Sequence, residues 1–425
     1  MAVTQDGHPR KPKIVCDGLC RTTYRHRLPY TRGVDPLANP YSMGAGNPPP
    51  ALTGRARQEE QFETLLGRLT RGRGEQSMIV WGLRGVGKTV LLLEFQSIAD
   101  RMGWVAADPI EVKSDTDLRA EIAQHAYQAL SLLSRRRAVG DTLKRFTRIL
   151  SGFKVGASTA GNVEFSFDPD AVGSGSTGDL ERDLTELCTE LGEVAKQHEA
   201  GVVFLIDEMQ FLKNDEMEAV AAAMHRMSQR RLPVALAGTG LPQLPGLMVE
   251  AKSYAERLFS YPKLDRLADE DAREALRAPA LEEGVDFTDD ALTRLLELSG
   301  NYPAFLQAYG KEVWNTAPRS PITLEDVEAA EPVVQAKLDE AFFHTRFEKA
   351  TPTERRYMSA MAELGDNPQS SSNVAALLGY KSSRGASLHR DSLIKKGLIY
   401  SPDHGLVDFT VPHFAPFMRR RYPLP

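Results

Sequence analysis

The sequence of 425 residues predicts an α/β fold: a parallel sheet with helices on both faces, followed by a helical region and a small unit of three helices and a β-wing. Two observations predict the sheet. Amphipathic helical segments alternate with short apolar runs typical of parallel strands, and the first apolar run is followed by a glycine-rich loop and a helix. The length suits two to four units, since domains usually hold ~100–200 residues.

Composition and charge exclude several classes of protein. Hydrophobic residues make up 42% and charged residues 26% of the chain, which excludes wholesale disorder. The net charge of −5 excludes a uniformly basic coat for nucleic acid. Residues 351–425 hold ten basic and six acidic side chains, which marks them as the region in which to look for a polyanion partner. No apolar run approaches the ~20 residues that span a bilayer, and we expect a cytoplasmic protein without a membrane partner.

Residues 1–50 predict a flexible basic leader, because Arg, Lys, Pro, Gly and Asn are mixed there without periodicity. Within it, Cys16 and Cys20 have the spacing of half a metal site, but no second Cys/His pair has finger spacing. Two reduced thiols are the alternative. Cys188 lies in a helical pattern and is predicted to be packed, and three cysteines cannot build a disulfide framework.

Residues 51–262 predict the α/β core with five parallel strands. A short fifth strand is expected after Arg257, and the other four are predicted at Met78–Trp81, Val105–Val112, Val202–Ile206 and Pro233–Ala237. Helices are predicted at Gln58–Leu69, Lys88–Arg101, Leu118–Leu133, Leu180–Glu199 and Glu216–Arg230. Between the third and fourth of these helices, residues 153–167 predict an inserted β-hairpin around a turn-rich segment.

Residues 263–350 predict a helical lid and a bridging helix. Helical spacing of apolar residues recurs here, at Glu270–Leu276, Asp289–Leu298, Ala304–Trp314 and Leu324–Ala350.

The glycine-rich loop predicts a phosphate site. Gly82–Thr89 fits the pattern G-x-x-x-x-G-K-[ST] between a strand and a helix. The glycines let successive backbone N–H groups curl round phosphates, and the helix N-terminus adds positive potential. Lys88 would reach the β- and γ-phosphates, and the Thr89 hydroxyl would ligate Mg²⁺. A chance glycine-rich turn is the alternative, which the strand, loop and helix together disfavour.

Two carboxylates follow the apolar strand Val202–Ile206. Asp207 at the strand end would hold Mg²⁺ through water, and Glu208 would orient and deprotonate the attacking water. The alternative is a solvated loop. On the next strand, Thr239 is a candidate to sense the γ-phosphate or to position water, with a helix cap or a turn as an equal alternative.

Together, the phosphate loop, the Asp-Glu strand, the polar strand tip and the helical lid resemble AAA+ and STAND P-loop ATPases, in the branch similar to origin-recognition initiators and archaeal-type ATPases. In this branch, a Gly-Arg element such as Gly54-Arg55 lies against adenine, and a lid motif such as Gly300-Asn-Tyr-Pro303 approaches the nucleotide. Asn301 replaces the usual glycine, and asparagine tolerates a positive φ better than most residues. The implied ATP-binding residues are Arg55, Gly82, Arg84, Gly85, Val86, Gly87, Lys88, Thr89, Val90 and Pro303.

The resemblance also implies that Arg257 could serve as an arginine finger in a nucleotide-dependent homo-oligomer. Its alternative is a surface arginine paired with an acid. A second lid arginine that would sense the nucleotide does not stand out in the sequence, which favours the STAND side.

Residues 351–425 resemble a winged helix. Thr351 and Glu354 form a capping box at the first helix, Ser383–Lys396 would be the recognition helix with Leu388 on its buried side, and two short strands would form the wing. The residues expected to contact double-stranded DNA are Lys381, Arg384, Ser387, Arg390 and Lys395. Winged helices also dock proteins, so a protein partner stays open, and Arg419–Arg421 would touch a DNA backbone or solvent.

The sequence therefore predicts a slow, partner-stimulated ATPase with ATP and Mg²⁺ as ligands, acting as a switch that couples nucleotide state to DNA binding. The alternative is a signalling NTPase whose winged helix binds protein. The basic recognition helix favours the first, and the acidic remainder of the chain favours the second.

Overall fold

A computed structural model describes residues 34–44, 49–50, 52–136, 153–157, 163–167 and 179–424; for residues 134–136, 153–157 and 163–167 it describes the backbone alone. The first part of the chain contains α1 (Ala56–Thr70), β1 (Ser77–Trp81), α2 (Lys88–Arg101), β2 (Val105–Ala106), β3 (Ile110–Glu111), α3 (Leu118–Arg136), β4 (Phe153–Ala157), β5 (Val163–Phe167), α4 (Leu180–Gln197), β6 (Val202–Asp207), α5 (Asn214–Arg230), β7 (Val234–Gly240), α6 (Leu244–Ala251), α7 (Ala255–Leu258) and β8 (Phe259–Ser260).

The predicted parallel sheet is confirmed, with strands in the order β2–β6–β7–β1–β8. The predicted strand Val105–Val112 is broken into β2 and β3, which both pair with β6. Val105 pairs with Val202 and Ile110 pairs with Ile206, so the edge segment holds one residue more than its partner and bulges. Pro109, which has no N–H to donate, lies in the break.

Helices cover both faces of the sheet, and its central strands are therefore buried along their whole length. On one face, Phe62 of α1 stacks on Phe95 of α2 with ring centres 4.2 Å apart. Helices α3, α4 and α5 pack on the other face. This order brings the carboxyl ends of β1, β6 and β7 side by side, so the loops that follow them meet at one edge.

The predicted hairpin is confirmed by the antiparallel pairing of β4 with β5, from Phe153 opposite Phe167 to Ala157 opposite Val163. Its turn lies outside the described residues.

Residues 263–350 are helical as predicted, and the first three helices are longer than predicted, whereas the predicted helix Leu324–Ala350 is interrupted by a π-helical segment. It contains α8 (Asp269–Glu282), α9 (Asp289–Ser299), α10 (Pro303–Thr316), α11 (Leu324–Lys337), a π-helical segment (Leu338–His344) and α12 (Thr345–Phe347). The described helices include none that is both long and apolar enough to cross a membrane.

Part of the predicted flexible leader is folded, which corrects that expectation for residues 34–44. The Tyr41 ring is buried against Gly310, and its hydroxyl donates to the Leu276 carbonyl oxygen. Trp314 Nε1 donates to the Asp35 carbonyl oxygen at 2.9 Å. The hydrogen bonds of Tyr41 and Trp314 therefore attach this segment to the lid. Residues 1–33 and 45–48 of the leader, with Cys16 and Cys20 among them, lie outside the described residues; Cys188 is buried as predicted.

The last unit contains α13 (Pro352–Glu363), β9 (Gln369–Ser370), α14 (Ser371–Leu377), a 3₁₀ turn (Ser383–Ala386), α15 (Ser387–Lys395), β10 (Ile399–Tyr400), β11 (Leu406–Phe409) and α16 (Phe414–Arg421). Its strands form a small antiparallel sheet in the order β10–β11–β9. Sequence analysis predicted neither β9 nor α16.

The expected single helix Ser383–Lys396 is wrong, because a 3₁₀ turn precedes a shorter α-helix. Leu388 was expected on the buried side but is 81% exposed, while Leu393 is buried. Five residues separate the two leucines, which is about 140° around a helix, so they cannot share one face.

A continuous hydrophobic core joins the 34–44 segment, the lid and the last unit. Phe343 illustrates the join: its ring centre lies 6.0 Å from that of Phe305 in α10 and 5.2 Å from that of Phe417 in α16. The core clusters of the sheet are separate from this one. The lid and the last unit are thus packed together as one body of apolar side chains.

Candidate functional site

The loop Gly82–Thr89 joins β1 to α2 and curls at its glycines. Gly85 and Gly87 have φ values of 82° and 92°, which residues with a Cβ rarely adopt. A Cβ on Gly82 would lie 2.2 Å from the Leu264 carbonyl oxygen, so the close approach of that backbone also requires glycine. The loop ends at the N-terminus of a 14-residue helix, where backbone N–H groups favour anions.

Lys88 lies inside this loop. Its amine donates to the carbonyl oxygens of Gly82 at 3.1 Å and Leu83 at 2.9 Å. Burial lowers the pKa of Lys88 to about 8, against the opposing effects of Glu208 and Asp207. A buried ammonium gains most from a nearby anion, so a phosphate in the loop would stabilise the charged lysine.

Three oxygen-bearing side chains meet beside the loop. The Thr89 hydroxyl donates to Asp207 Oδ2 at 2.6 Å, and the buried Thr239 hydroxyl donates to Asp207 Oδ1. Thr239 lies within β7, which runs three residues beyond the predicted strand end. The hydrogen bond from Thr239 holds the Asp207 carboxylate in one orientation. Hydroxyl and carboxylate oxygens are the ligands Mg²⁺ prefers, together with water and phosphate, so Thr89 and Asp207 fit this ion.

Glu208 directly follows this cluster and has a left-handed backbone with φ of 56°. Such a conformation is uncommon outside glycine and is found at functional sites. One carboxylate oxygen lies 3.5 Å from Arg84 Nη1, and the other accepts from Gln210 Nε2. Gln210 Oε1 in turn accepts from the Leu241 N–H at 2.9 Å. Sequence analysis missed Gln210, which ties the Glu208 carboxylate to the end of β7.

The residues predicted beside adenine and in the lid both contact the loop. Arg55 Nη2 donates to the carbonyl oxygens of Val86 and Asp265, each at 2.9 Å, so Arg55 braces the loop backbone. The Ala304 N–H, next to Pro303, donates to the Gly85 carbonyl oxygen at 3.1 Å. Val86 is buried within the loop and Val90 is half-buried on α2. Asn301 has φ of 62°, as its replacement of glycine predicted.

A contact from the last unit was not predicted. The Arg84 backbone N–H donates to the Thr410 carbonyl oxygen at 2.9 Å. Gly397 also lies close, since a Cβ there would stand 3.1 Å from Arg84 Nη2. No local signal could have found this contact, because more than three hundred residues separate the two partners.

Arg257 does not join this site within one chain. It is exposed on α7 just before β8, and Gln76 Nε2 donates to its carbonyl oxygen at 2.8 Å. Because Ser77 pairs with Phe259, Arg257 lies at the amino ends of the strands, whereas the phosphate loop lies at their carboxyl ends.

The predicted DNA-contact residues lie around the 3₁₀ turn and α15. Lys381, Arg384 and Lys395 are exposed. Ser387 is half-buried and its hydroxyl donates to the Arg384 carbonyl oxygen at 2.9 Å. Arg390 pairs with the adjacent Asp391 at 2.9 Å. Three of the five candidates therefore present their side chains to solvent.

The three C-terminal arginines form ion pairs with two aspartates of the same body. Arg419 pairs with Asp366 at 2.6 Å, and Arg420 and Arg421 pair with Asp339 at 2.7 and 3.6 Å. Arg420 and Arg421 are nevertheless exposed to solvent, as one of the two expectations had it. They fasten α16 to its neighbours.

Comparisons with known proteins agree with this geometry. Residues 51–236 match the family described as AAA ATPase domain, and residues 340–418 match a domain of unknown function (DUF8462). No curated protein has a sequence that matches the chain.

Solved structures with a similar arrangement include a Walker-type ATPase of Pyrococcus abyssi, at 16% identity, with 87% of this chain and 96% of that chain covered and a TM-score of 0.54. The Orc1 protein of Aeropyrum pernix in complex with DNA has 14% identity, coverages of 87% and 93%, and a TM-score of 0.42. The RuvB branch-migration motor of Thermotoga maritima has 15% identity, coverages of 88% and 96%, and a TM-score of 0.41. The first likeness shows a shared fold, and the TM-scores of the other two are too low to support an argument.

Proposed function

We propose that this chain, which is a P-loop ATPase with an AAA ATPase domain, is a Mg²⁺-dependent switch that couples its nucleotide state to DNA binding by the last unit. The observation that carries the proposal is the hydrogen bond from the Arg84 N–H to the Thr410 carbonyl oxygen. The phosphate loop thereby contacts the unit that would bind the partner. A nucleotide that moves the loop would shift the population of that contact.

Each residue of the site has a role in hydrolysis under this proposal. Lys88 and the N-terminus of α2 bind the phosphates, and Thr89 and Asp207 would hold Mg²⁺, which supplies charge stabilisation at the phosphates when bound. Thr239 keeps the Asp207 carboxylate oriented. Glu208 accepts a proton from the attacking water.

Turnover by the chain alone would be slow. The Glu208 carboxylate lies beside Arg84 and accepts from Gln210, so both its oxygens are engaged. Activating water would require at least one of these contacts to open. A partner that opens them would stimulate hydrolysis.

A homo-oligomer is a further part of the proposal. Arg257 is exposed at the edge of the sheet, where a second copy could present its phosphate loop to it. An arginine supplied in this way would stabilise the charge of the transferred phosphoryl group.

DNA is the partner that charge favours. The last unit carries a net charge of +4, and Lys381, Arg384 and Lys395 are exposed around α15. Helix α15 follows α14 and precedes strands β10 and β11, which is the order of elements in a winged helix. The basic side chains would contact phosphates, which fix position without reading sequence.

A protein partner is the second candidate, favoured by a specific observation. Leu388 is 81% exposed on α15, and Leu377 at the end of α14 and Tyr380 in the loop that follows it are also exposed. An exposed leucine and tyrosine on the expected recognition face fit an apolar contact with protein.

Fluorescence anisotropy of a random-sequence duplex tests the DNA proposal. We expect salt-sensitive, submicromolar binding to wild-type protein that differs between ATP–Mg²⁺ and ADP. The variant Arg384→Glu with Lys381→Glu should bind at least tenfold more weakly. Arg71→Glu with Arg73→Glu, which makes the same charge change at exposed sites beyond α1, should bind as wild type does.

Absence of binding in every nucleotide state, or equal weakening by both double variants, would contradict the DNA proposal. Substituting Leu388→Ser would then test the protein proposal, since it should weaken capture of a partner by the nucleotide-bound protein.

A further inference from the structure

Arg346 lies next to the phosphate loop although it comes from far outside the ATPase core. It belongs to α12, between the lid and the last unit. Its guanidinium carbon stands 4.0 Å from the centre of the Phe342 ring, and Nη1 donates to the Phe342 carbonyl oxygen. The same ring has its Cζ 3.7 Å from the position of a Cβ on Gly85. One aromatic ring therefore separates Arg346 from the loop.

The charge of Arg346 has no carboxylate partner within 4 Å among the residues the structure describes. Burial lowers the pKa of Arg346 to about 10, with the positive charge of Arg84 acting in the same direction and Glu208 opposing it. The guanidinium thus stays protonated at neutral pH. Half-buried arginines normally pair with an anion, and the charged groups acting on this one belong to the nucleotide site.

The backbone before Arg346 is unusual as well. Leu338–His344 forms a π-helical segment of seven residues between two α-helical stretches. Such segments are rare and often occur at functional sites, because they change the direction in which side chains point. Here the segment carries Phe342 toward Gly85 and Phe343 into the core shared with α10 and α16.

The lid makes its hydrogen bond to the loop through an uncharged residue. Its contact with the loop is made by Ala304, which follows Pro303 and donates to the Gly85 carbonyl oxygen. A methyl group cannot balance phosphate charge, whereas the guanidinium of Arg346 can donate two parallel hydrogen bonds to it.

We propose that Arg346 binds the γ-phosphate end of ATP, so that the segment linking the lid to the last unit distinguishes ATP from ADP. The anion would supply the partner that the guanidinium lacks. Arg84 and Arg346 would both turn toward the phosphate, which would leave the Glu208 carboxylate free to act on water. The proposal rests on the ATPase activity and adds the residue that reports nucleotide state to the last unit.

The test compares affinities for two nucleotides. Fluorescence titration gives the Kd for ADP and for a non-hydrolysable ATP analogue, both with Mg²⁺. We expect Arg346→Ala to weaken binding of the analogue about tenfold, as for loss of one charge-assisted contact, and to leave the ADP affinity unchanged. Arg346→Lys, which keeps the charge, should recover part of the loss.

Arg355→Ala is the matched control. Arg355, in α13, stacks on Phe347 at 4.5 Å and donates to the Ala350 carbonyl oxygen, so it makes the same kinds of contact with the end of the linking segment. The variant should leave the ratio of the two affinities unchanged. An unchanged ratio in Arg346→Ala would overturn the proposal, as would equal weakening of both nucleotides, which indicates a structural role.

Hydrogen exchange of the wild-type protein keeps the proposal testable if Arg346→Ala fails to fold. Amides of residues 338–351 should exchange more slowly with the ATP analogue than with ADP. Equal exchange in the two states would overturn the proposal. Failure of both nucleotides to bind wild-type protein would instead contradict the ATPase proposal itself, so the two failures are distinguishable.

Discussion

Glu208 is the residue on which hydrolysis depends in the proposed mechanism. Glu208→Gln keeps the shape of the side chain and removes the base, so we expect turnover to fall about 10²–10⁴-fold while the Kd for ATP stays within about twofold. Phosphate release and fluorescent-nucleotide titration measure the two quantities. Lys88→Ala serves as the variant that loses binding, and Glu250→Gln, at an exposed site, as the variant that changes neither. Full turnover in Glu208→Gln would remove this residue from its role.

At this same scale, the sequence predicted the residues whose function depends on their immediate neighbours. Lys88 and Thr89 lie in a loop between a strand and a helix, and Asp207 ends a buried strand, so the local pattern carries their chemistry. Gln210 lies only two residues after Glu208, but no motif marked it. Arg346 gave no local signal, because its place beside the loop arises from tertiary packing, and the contact of Arg84 with Thr410 joins distant parts of the chain. A single sequence holds no record of those contacts.

At the scale of elements, helices were predicted correctly where the apolar residues recur at helical spacing and the sequence also marks where the helix begins and ends. Helix α2 begins and ends where it was predicted, because the glycine loop fixes its start. The prediction failed for Ser383–Lys396, where apolar residues recur but Gly385 lowers helix propensity in the first turn. The exposure of Leu388 has a separate reason, since Leu388 and Leu393 lie on different faces of the same helix.

One buried carboxylate makes the hydrogen bonds that join helix α13 to the end of α15. Glu354 accepts from Lys396 Nζ at 2.7 Å, from the Ser392 hydroxyl at 2.6 Å and from the Thr351 N–H at 2.7 Å. Burial raises the pKa of Glu354, but these hydrogen bonds outweigh burial and lower it to about 2. The carboxylate therefore stabilises the fold fully above its unfolded pKa of 4.5, and this contribution is lost as the pH falls from there toward 2.

Glu354→Gln should consequently lower the free energy of unfolding of the last unit by about 3 kcal/mol at pH 7. The difference from wild type should shrink steadily between about pH 4.5 and pH 2, because the wild-type side chain loses its charge there. Urea unfolding at several pH values measures this. Glu363→Gln, at an exposed site on the same helix, is the control. A difference that does not change with pH would show that the charge of Glu354 is not its source.

At the scale of the whole molecule, the hydrophobic cores do not coincide with the predicted units. The lid and the last unit share one hydrophobic core, while the sheet is packed by two others. The nucleotide site lies where these bodies meet, through Ala304 and Thr410. Movement of the lid would therefore carry the last unit with it, since their side chains are interlocked and close-packed cores transmit strain.

This division predicts two separate steps in thermal unfolding. Phe343→Ala should destabilise the lid and the last unit together by about 3–5 kcal/mol and leave the unfolding of the sheet unchanged. Phe95→Ala, which removes a ring from the core of the sheet, should do the reverse. Nucleotide at 100 times its Kd should stabilise the step in which the site is lost by about 2.7 kcal/mol. Calorimetry with and without nucleotide separates these effects. A single transition that both variants lower equally would mean that the three cores unfold as one unit, and the shared core of lid and last unit would not act as an independent body.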